Sequence, residues 1–470
     1  MAAQRRLKSG TAYLVLACAV IVLSYFGEVR VVFFPTGGSI SAPCHPFRSA
    51  RERRAGSRLG QASVERTTID NEQGMSSAQA ASNLAKNIVS TGMLSLPAGL
   101  AAFATSPGSL WIATLAVLMP LGVFSAYTFW LLGWICDETG ATSFGEAWGS
   151  VFGEGSGRLV SAVVAISCFL GCVGYSMILG DGVLALVGQM FPTVVTSRST
   201  IIMLLNIFVL CPLGLLENLA PLGKFSLMGT FASGYVVLFM ALRFFQGSYA
   251  PGGRFYASAA LSQPCVSNSL GVLLLASIAS CAFLAHFSAP RMYRELRSSP
   301  GGRRAKLRRF GGVVVGGFSF AMVVYAAVML LGFLTFGSSV GGNVLDSYAI
   351  SDPLAGVARA AVVFSVIFGY PFQLVGCADN VNALFGNVHL AWLKPLIMVA
   401  STATALFMYD LGRFQAFEGA VVGALLGYVA PSLMAGFRSR GLARARHFGL
   451  AMLGMIVGFA GVVVILRDVQ

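Results

Sequence analysis

Eleven stretches of about 20 predominantly apolar residues follow residue 75, and no other feature restricts the fold of this chain so strongly. Coiled as a helix, a run of that length matches the hydrocarbon core of a bilayer. The runs lie near 80–103, 110–133, 159–187, 200–216, 224–243, 268–290, 311–336, 354–377, 390–408, 416–436 and 448–466. The third is long enough to tilt or overshoot. A soluble domain cannot accommodate them. With 56% apolar and only 11% charged residues, roughly half the side chains would have to find cover that a soluble core of 470 residues does not offer. Lipid removes that limit, so the expected class is all-α integral membrane with eleven transmembrane helices. The 55 glycines agree, since small residues let membrane helices approach closely.

A net charge of +14 in a soluble protein would point to nucleic acid. Here the charges sit between apolar runs and report topology instead. With gaps assigned alternately to two sides, one side collects Arg48–Arg66 ahead of the first run, Arg291–Arg309 after the sixth and Arg438–Arg446 after the tenth. Its total is 21 Lys and Arg, against Arg198, Arg254, Arg413 and Arg467 on the other. The basic side is expected to be the cytoplasm, with Gln470 opposite.

Residues 1–75 are expected to form a separate segment ahead of a transmembrane domain at 76–470. Its apolar stretch 12–26, preceded by Arg5, Arg6 and Lys8, resembles a secretory signal or signal anchor, and 36–66 is rich in Ser and Arg like a transit peptide. A retained helix there would place Arg48–Arg66 on the wrong side, which cleavage or an organelle signal resolves. The nine cysteines contain no CxxC pair, and Cys265 alone lies in a predicted outer loop of the helical core, so no outer disulfide is expected there. Neither a metal cluster nor a phosphate-binding loop is visible, and no cofactor is expected.

The first run reads Asn83-Leu-Ala-Lys86-Asn87-Ile-Val-Ser90-Thr91-Gly92-Met93-Leu-Ser95-Leu-Pro97. Gly92 falls near the bilayer midplane, flanked by hydroxyls and followed by a proline, which are poor helix formers or competitors for backbone hydrogen bonds. Such a run predicts a broken helix, tolerable at that depth only where it lines a cavity. Freed N–H groups and the half-helix dipole there can hold a carboxylate. A glycine that merely lets helices pack is the alternative. A second candidate break lies in the sixth run, at the small Ser280-Cys281-Ala282 stretch, followed by Phe283 and His286. Two such segments about 190 residues apart, one in each half, point to an inverted-repeat transporter site.

Together these segments resemble the amino acid/auxin permease family of amino-acid transporters. The likeness is carried by Asn83–Pro97, by Ala282–Pro290 followed by Tyr293-Arg-Glu295-Leu296, by Tyr370-Pro371-Phe372-Gln373, by Thr142–Glu146 and by Asn218-Leu219, in the family's order. It implies eleven helices in a five-plus-five inverted repeat of the leucine-transporter type. It also implies an amino-acid substrate held at Ser90, Thr91, Gly92 and Met93 and at Ser280, Cys281 and Phe283. The family's sodium-coupled branch carries Asn where this chain has Lys86, and a cation there would repel sodium, so the expected coupling ion is the proton.

Ionisable residues inside membrane spans are functional candidates. Lys86, His286 and Glu418 are the candidates for proton coupling, Glu418 standing where the family is usually apolar. Asp181 and Arg359 are expected at an interface or in local ion pairs. Three other readings stay open: sodium coupling, a non-transporting amino-acid sensor of the same fold, and a membrane-embedded acyltransferase built around His286. No catalytic set accompanies that histidine, so no enzyme is expected. The sequence does not name the amino acid or choose between plasma membrane, vacuole or lysosome, and plastid.

Overall fold

The computed structural model describes residues 74–89, 91–104, 107–216, 226–259, 270–297, 301–385 and 390–467. The segment ahead of residue 74 that is expected to act in targeting, Ser90, the Asn218-Leu219 pair, Cys265 and Gln470 lie outside the described residues. Within them the chain is helical. In order come α1 (Ser77–Ile88), α2 (Leu96–Ala101), α3 (Ser109–Thr139), α4 (Phe144–Phe152), α5 (Glu154–Met190), α6 (Arg198–Gly214) and α7 (Ser226–Gln246). There follow α8 (Gly271–Ala282), α9 (Ala289–Glu295), α10 (Gly302–Phe336), α11 (Pro353–Phe385), α12 (Leu390–Phe407), α13 (Leu411–Arg438) and α14 (Gly441–Arg467). Seven of the helical spans are long and apolar enough to cross a membrane, and Arg198–Gly214 and Trp392–Phe407 are apolar but shorter. At 37 residues, α5 is about 55 Å long at 1.5 Å per residue, well beyond a bilayer core, which is the expected overshoot.

Two interruptions organise the core. α1 begins at Ser76, whose hydroxyl accepts from the Gln79 N–H while the Gln79 side chain accepts from the Ser76 N–H, a reciprocal cap. It stops at Ile88, and the chain passes through a tight 3-10 turn at Thr91–Ser95 before α2, as Gly92 predicts. The second interruption falls later than the sequence reading places it. Ser280–Ala282 still belong to α8, with the Ser280 hydroxyl donating back to the Ala276 carbonyl at 2.7 Å. The helix ends there, and Phe283–Ala285 are non-helical ahead of a 3-10 turn at His286–Ser288. Pro290 explains the position, because it cannot donate to His286 and its ring crowds that carbonyl.

Small residues set the packing around these breaks. A Cβ on Gly419 would lie 1.8 Å from the Ser277 carbonyl oxygen, and one on Gly461 2.2 Å from the Ser277 hydroxyl. α8, α13 and α14 therefore meet at backbone distance, as membrane helices do where glycine allows it. α5 and α11 pack along much of their length, and α10 lies against α1.

The two ends of the bundle differ. At one, Met75 donates to the Glu295 carbonyl at 2.9 Å and accepts from the Arg297 N–H at 3.1 Å, so the segment entering α1 lies beside the chain leaving α9, on one side of the bundle, as the charge pattern requires. At the other end the loop between α10 and α11 is folded onto the helices. Arg359, 1% exposed, donates to the carbonyls of Tyr348 (2.6 Å) and Leu345 (2.9 Å), and so serves as a clasp for that loop rather than as half of an ion pair. Asp352 accepts from Arg243 at 2.5 and 2.8 Å and from Tyr249 at 2.9 Å. Asp181 pairs with Arg198 at 2.5 Å, the local ion pair expected of it. Within the loop, burial and the neighbouring Asp181 carboxylate push the Asp346 carboxyl up to about 7.

Candidate functional site

The two interruptions face each other. A Cβ on Gly92 would sit 2.6 Å from the Cα of Ala282, so the turn after α1 touches the end of α8 backbone to backbone. Breaking a helix frees carbonyls at its C-terminus. The last carbonyls of both half-helices converge on one group, the Tyr325 hydroxyl of α10, 2.6 Å from Ile88 O and 2.7 Å from Ala282 O. Tyr325 is fully buried, and a single proton is shared between the two acceptors.

Beside this junction lies a cavity of about 630 Å³. It reaches from Thr91, Met93 and Tyr175 at mid-bundle to Met75, Thr142, Arg291 and Glu295, the end that carries the Met75–Glu295 pairing. A narrow cavity of about 60 Å³ continues it, walled by Gly92, Cys281 and Ala282 from the two breaks, by Ser167 and Gly171 of α5, and by Gln415 and Glu418 of α13. Asn87, Thr91, Tyr175, Phe287 and Gln373 line both cavities and form the throat between them. Gly171 makes room for Gln373, since a Cβ there would lie 2.2 Å from its Nε2.

Glu418 lines the narrow cavity and not the wide one. It is 8% exposed and sits where regular helix gives way to the wide-turned stretch Gly419–Val429. Extra turns of that kind re-aim side chains and gather at functional sites. The Cys281 thiol donates to Glu418 Oε2 at 3.5 Å, and Glu418 forms no ion pair among the described residues. One turn earlier, Gln415 is 3% exposed and its side-chain oxygen receives no hydrogen bond.

Of the residues singled out from sequence, the structure brings Thr91, Gly92, Met93 and Cys281 onto the cavity walls. Ser280 and Phe283 lie off them. Ser280 spends its hydroxyl on α8 and accepts from Tyr428, while Phe283 is fully buried against Phe318 and Tyr325. Lys86 lines the wide cavity and Glu418 the narrow one. Lys86 and the Ser365 hydroxyl converge on Gly229 of α7, where a Cβ would meet Lys86 Cε at 2.9 Å and Ser365 Oγ at 2.7 Å. His286 is fully buried and lines neither cavity. Its Nε2 lies 3.1 Å from the Ser125 carbonyl, which can only accept, so Nε2 carries the proton and Nδ1 is left without a partner. Tyr175, Gln373 and Gln415 escaped the sequence reading as site residues. Gln373 ends a motif visible in the chain, whereas Gln415 is betrayed only by standing three residues before Glu418.

Among described residues no group of three or more His, Cys, Asp or Glu is placed to hold a metal. The profile of the family described as "Transmembrane amino acid transporter protein" matches residues 73–467. The mouse sodium-coupled neutral amino acid transporter 7 is 25% identical over 289 residues, 60% of this chain and 58% of that protein. The chain thus spans less than two thirds of that relative's length. Vacuolar amino acid transporter 5 of Schizosaccharomyces pombe is 24% identical over 409 residues, 80% of this chain and 90% of that protein. Among solved structures, the inward-facing conformation of Mhp1 covers 83% of this chain and 91% of its own at 11% identity, with a TM-score of 0.54. At that identity the likeness shows the fold alone, that of leucine-transporter-type membrane proteins.

Proposed function

The chain belongs to the transmembrane amino acid transporter family, and from that premise we propose that it is a multi-pass secondary active transporter of amino acids. One observation carries the reading. A polar cavity lies where two broken helices touch, and it continues through a narrow throat into a wide cavity at one end of the bundle. Unwound backbone at membrane depth exposes the N–H and C=O groups that recognise a zwitterion, and the residues of the throat enclose that place. Counting the broken first segment, α7 and the two shorter apolar helices with the seven long spans gives eleven crossings, which we read as a five-plus-five inverted repeat working by alternating access. Residues 76–470 form the transport domain in this reading, and residues 1–75 a targeting segment.

The coupling ion in this reading is the proton. Of the three candidates for proton coupling, Lys86 and Glu418 lie on the cavity walls, whereas His286 is walled off beside α3. The Lys86 side chain packs beside Ser365, so a cation already stands next to the hydroxyl that a sodium site on α11 would need. Sodium coupling is the second reading, favoured by the printed name of the mouse relative. Uptake of labelled amino acids into proteoliposomes is expected under an inward proton gradient without sodium. Strict dependence on a sodium gradient at uniform pH would establish the second reading.

A further inference from the structure

The acceptors on the α13 wall of the narrow cavity outnumber what the protein offers them. Glu418 and Gln415 stand three residues apart on one face of α13, both more than nine-tenths buried, and both line that cavity. Glu418 receives one weak donor, the Cys281 thiol, and no Lys, Arg or His pairs with it among the described residues. The side-chain oxygen of Gln415 receives no donor at all. A buried carboxylate without a cation is costly, and an unpaired buried amide oxygen adds to the cost. Several N–H donors and one positive charge, delivered into the cavity, would satisfy both.

From this we infer that Glu418 and Gln415 receive the cationic end of the substrate's side chain, so that the transported class is basic amino acids. The inference rests on the transport reading and gives the site its selectivity. The dimensions agree with it. About 60 Å³ holds the head of a side chain rather than a whole amino acid, so the α-amino and α-carboxylate groups stay at the throat beside Thr91 and the helix breaks while the charged tip enters the narrow end. A site built to satisfy a buried carboxylate also rejects a neutral isostere, which would desolvate Glu418 and return nothing. If Glu418 held the α-amino group instead, every amino acid would satisfy it equally.

The test uses the full chain purified in detergent and reconstituted in proteoliposomes, with two isosteric pairs: lysine against norleucine, and arginine against citrulline. Lysine and arginine are expected to raise the melting temperature, and to be taken up, at concentrations at least tenfold lower than their neutral counterparts. Glu418→Gln is expected to invert that order. The wild-type melting shifts decide the matter even if the variant folds poorly. Equal or better binding of norleucine and citrulline by the wild type would overturn the inference while leaving amino-acid transport in place, and so would a variant that loses both classes in proportion. Absence of binding and uptake for all four would overturn this inference, and absence for every proteinogenic amino acid, under proton and sodium gradients alike, would overturn the transport reading with it.

Discussion

The Cα of Ala282 lies 2.6 Å from the point that a Cβ on Gly92 would occupy, and the Cβ of Ala282 lies 2.8 Å from it. The glycine is therefore fixed by contact between two backbones, at the place where the broken helices frame the narrow cavity. Packing is thus one role of Gly92, and substrate approach at the same place is the role we propose for it.

Gly92→Leu is accordingly expected to abolish uptake, and Gly92→Ala to reduce it at least tenfold. Ala282→Gly should fail to rescue Gly92→Ala, because the Ala282 Cα stays in place when its methyl is removed. Initial uptake rates, normalised to protein in the membrane, check this. Full activity of Gly92→Leu would show that the two breaks separate in the working protein.

Tyr325→Phe removes the one side-chain donor that, among the described residues, reaches the Ile88 and Ala282 carbonyls at the ends of α1 and α8. Leaving a buried acceptor unpaired costs about 1–3 kcal/mol. The melting temperature of the purified chain should fall by a few degrees, and transport should fall with it. A variant as stable and as active as the wild type would remove the tyrosine from this role.

Lys86→Gln keeps a polar side chain, one atom shorter, and discards its charge. In the proposed proton-coupled cycle this variant should lose accumulation driven by a pH gradient while retaining exchange of labelled for unlabelled amino acid. Wild-type accumulation by Lys86→Gln would assign coupling to another group.

Topology is open to direct labelling. Cysteines introduced at Arg254 and Arg304, both exposed, should react with an impermeant maleimide from opposite sides of the membrane, Arg304 from the cytoplasm. Labelling of both from one side would contradict eleven crossings.

The Asp346 carboxyl is pushed up to about 7 by burial and by Asp181. A carboxyl whose pKa is raised in the packed loop holds its proton there more tightly than in the released loop. Acid therefore favours packing, and the contribution is lost as the pH rises through about 7. Hydrogen exchange across 341–352 should quicken several-fold between pH 5.5 and 8.5, beyond the intrinsic rate change, and Asp346→Asn should flatten that difference. An equal pH response in the variant would assign the effect elsewhere.

Membrane class and the first break were legible in the sequence because each rests on local chemistry. Apolar length sets the spans, and Gly92 between hydroxyls and a proline sets the interruption. The second break was displaced by three residues because a distant constraint decided it. Ser280 could bond back to Ala276 and stay helical, while Pro290 cannot supply the α-helical donor to the His286 carbonyl. The motif marks Phe283 and Ser280 as site residues, but side-chain direction around a helix end is settled by neighbours such as Phe318 and Tyr428, which sequence spacing does not reveal. His286 illustrates the same limit, since a histidine inside a span does not disclose whether it faces a cavity or a wall of α3.

The short helix α1 is fastened at both ends, by backbone pairing of Met75 with Glu295 and Arg297 at one and by the shared Tyr325 proton at the other. Each fastening joins it to the sixth segment, once at α9 and once at α8. A rod pinned at two points cannot pivot about either. In the alternating-access cycle we propose, α1 is therefore expected to travel with α8, α9 and the α10 helix that carries Tyr325 as one piece.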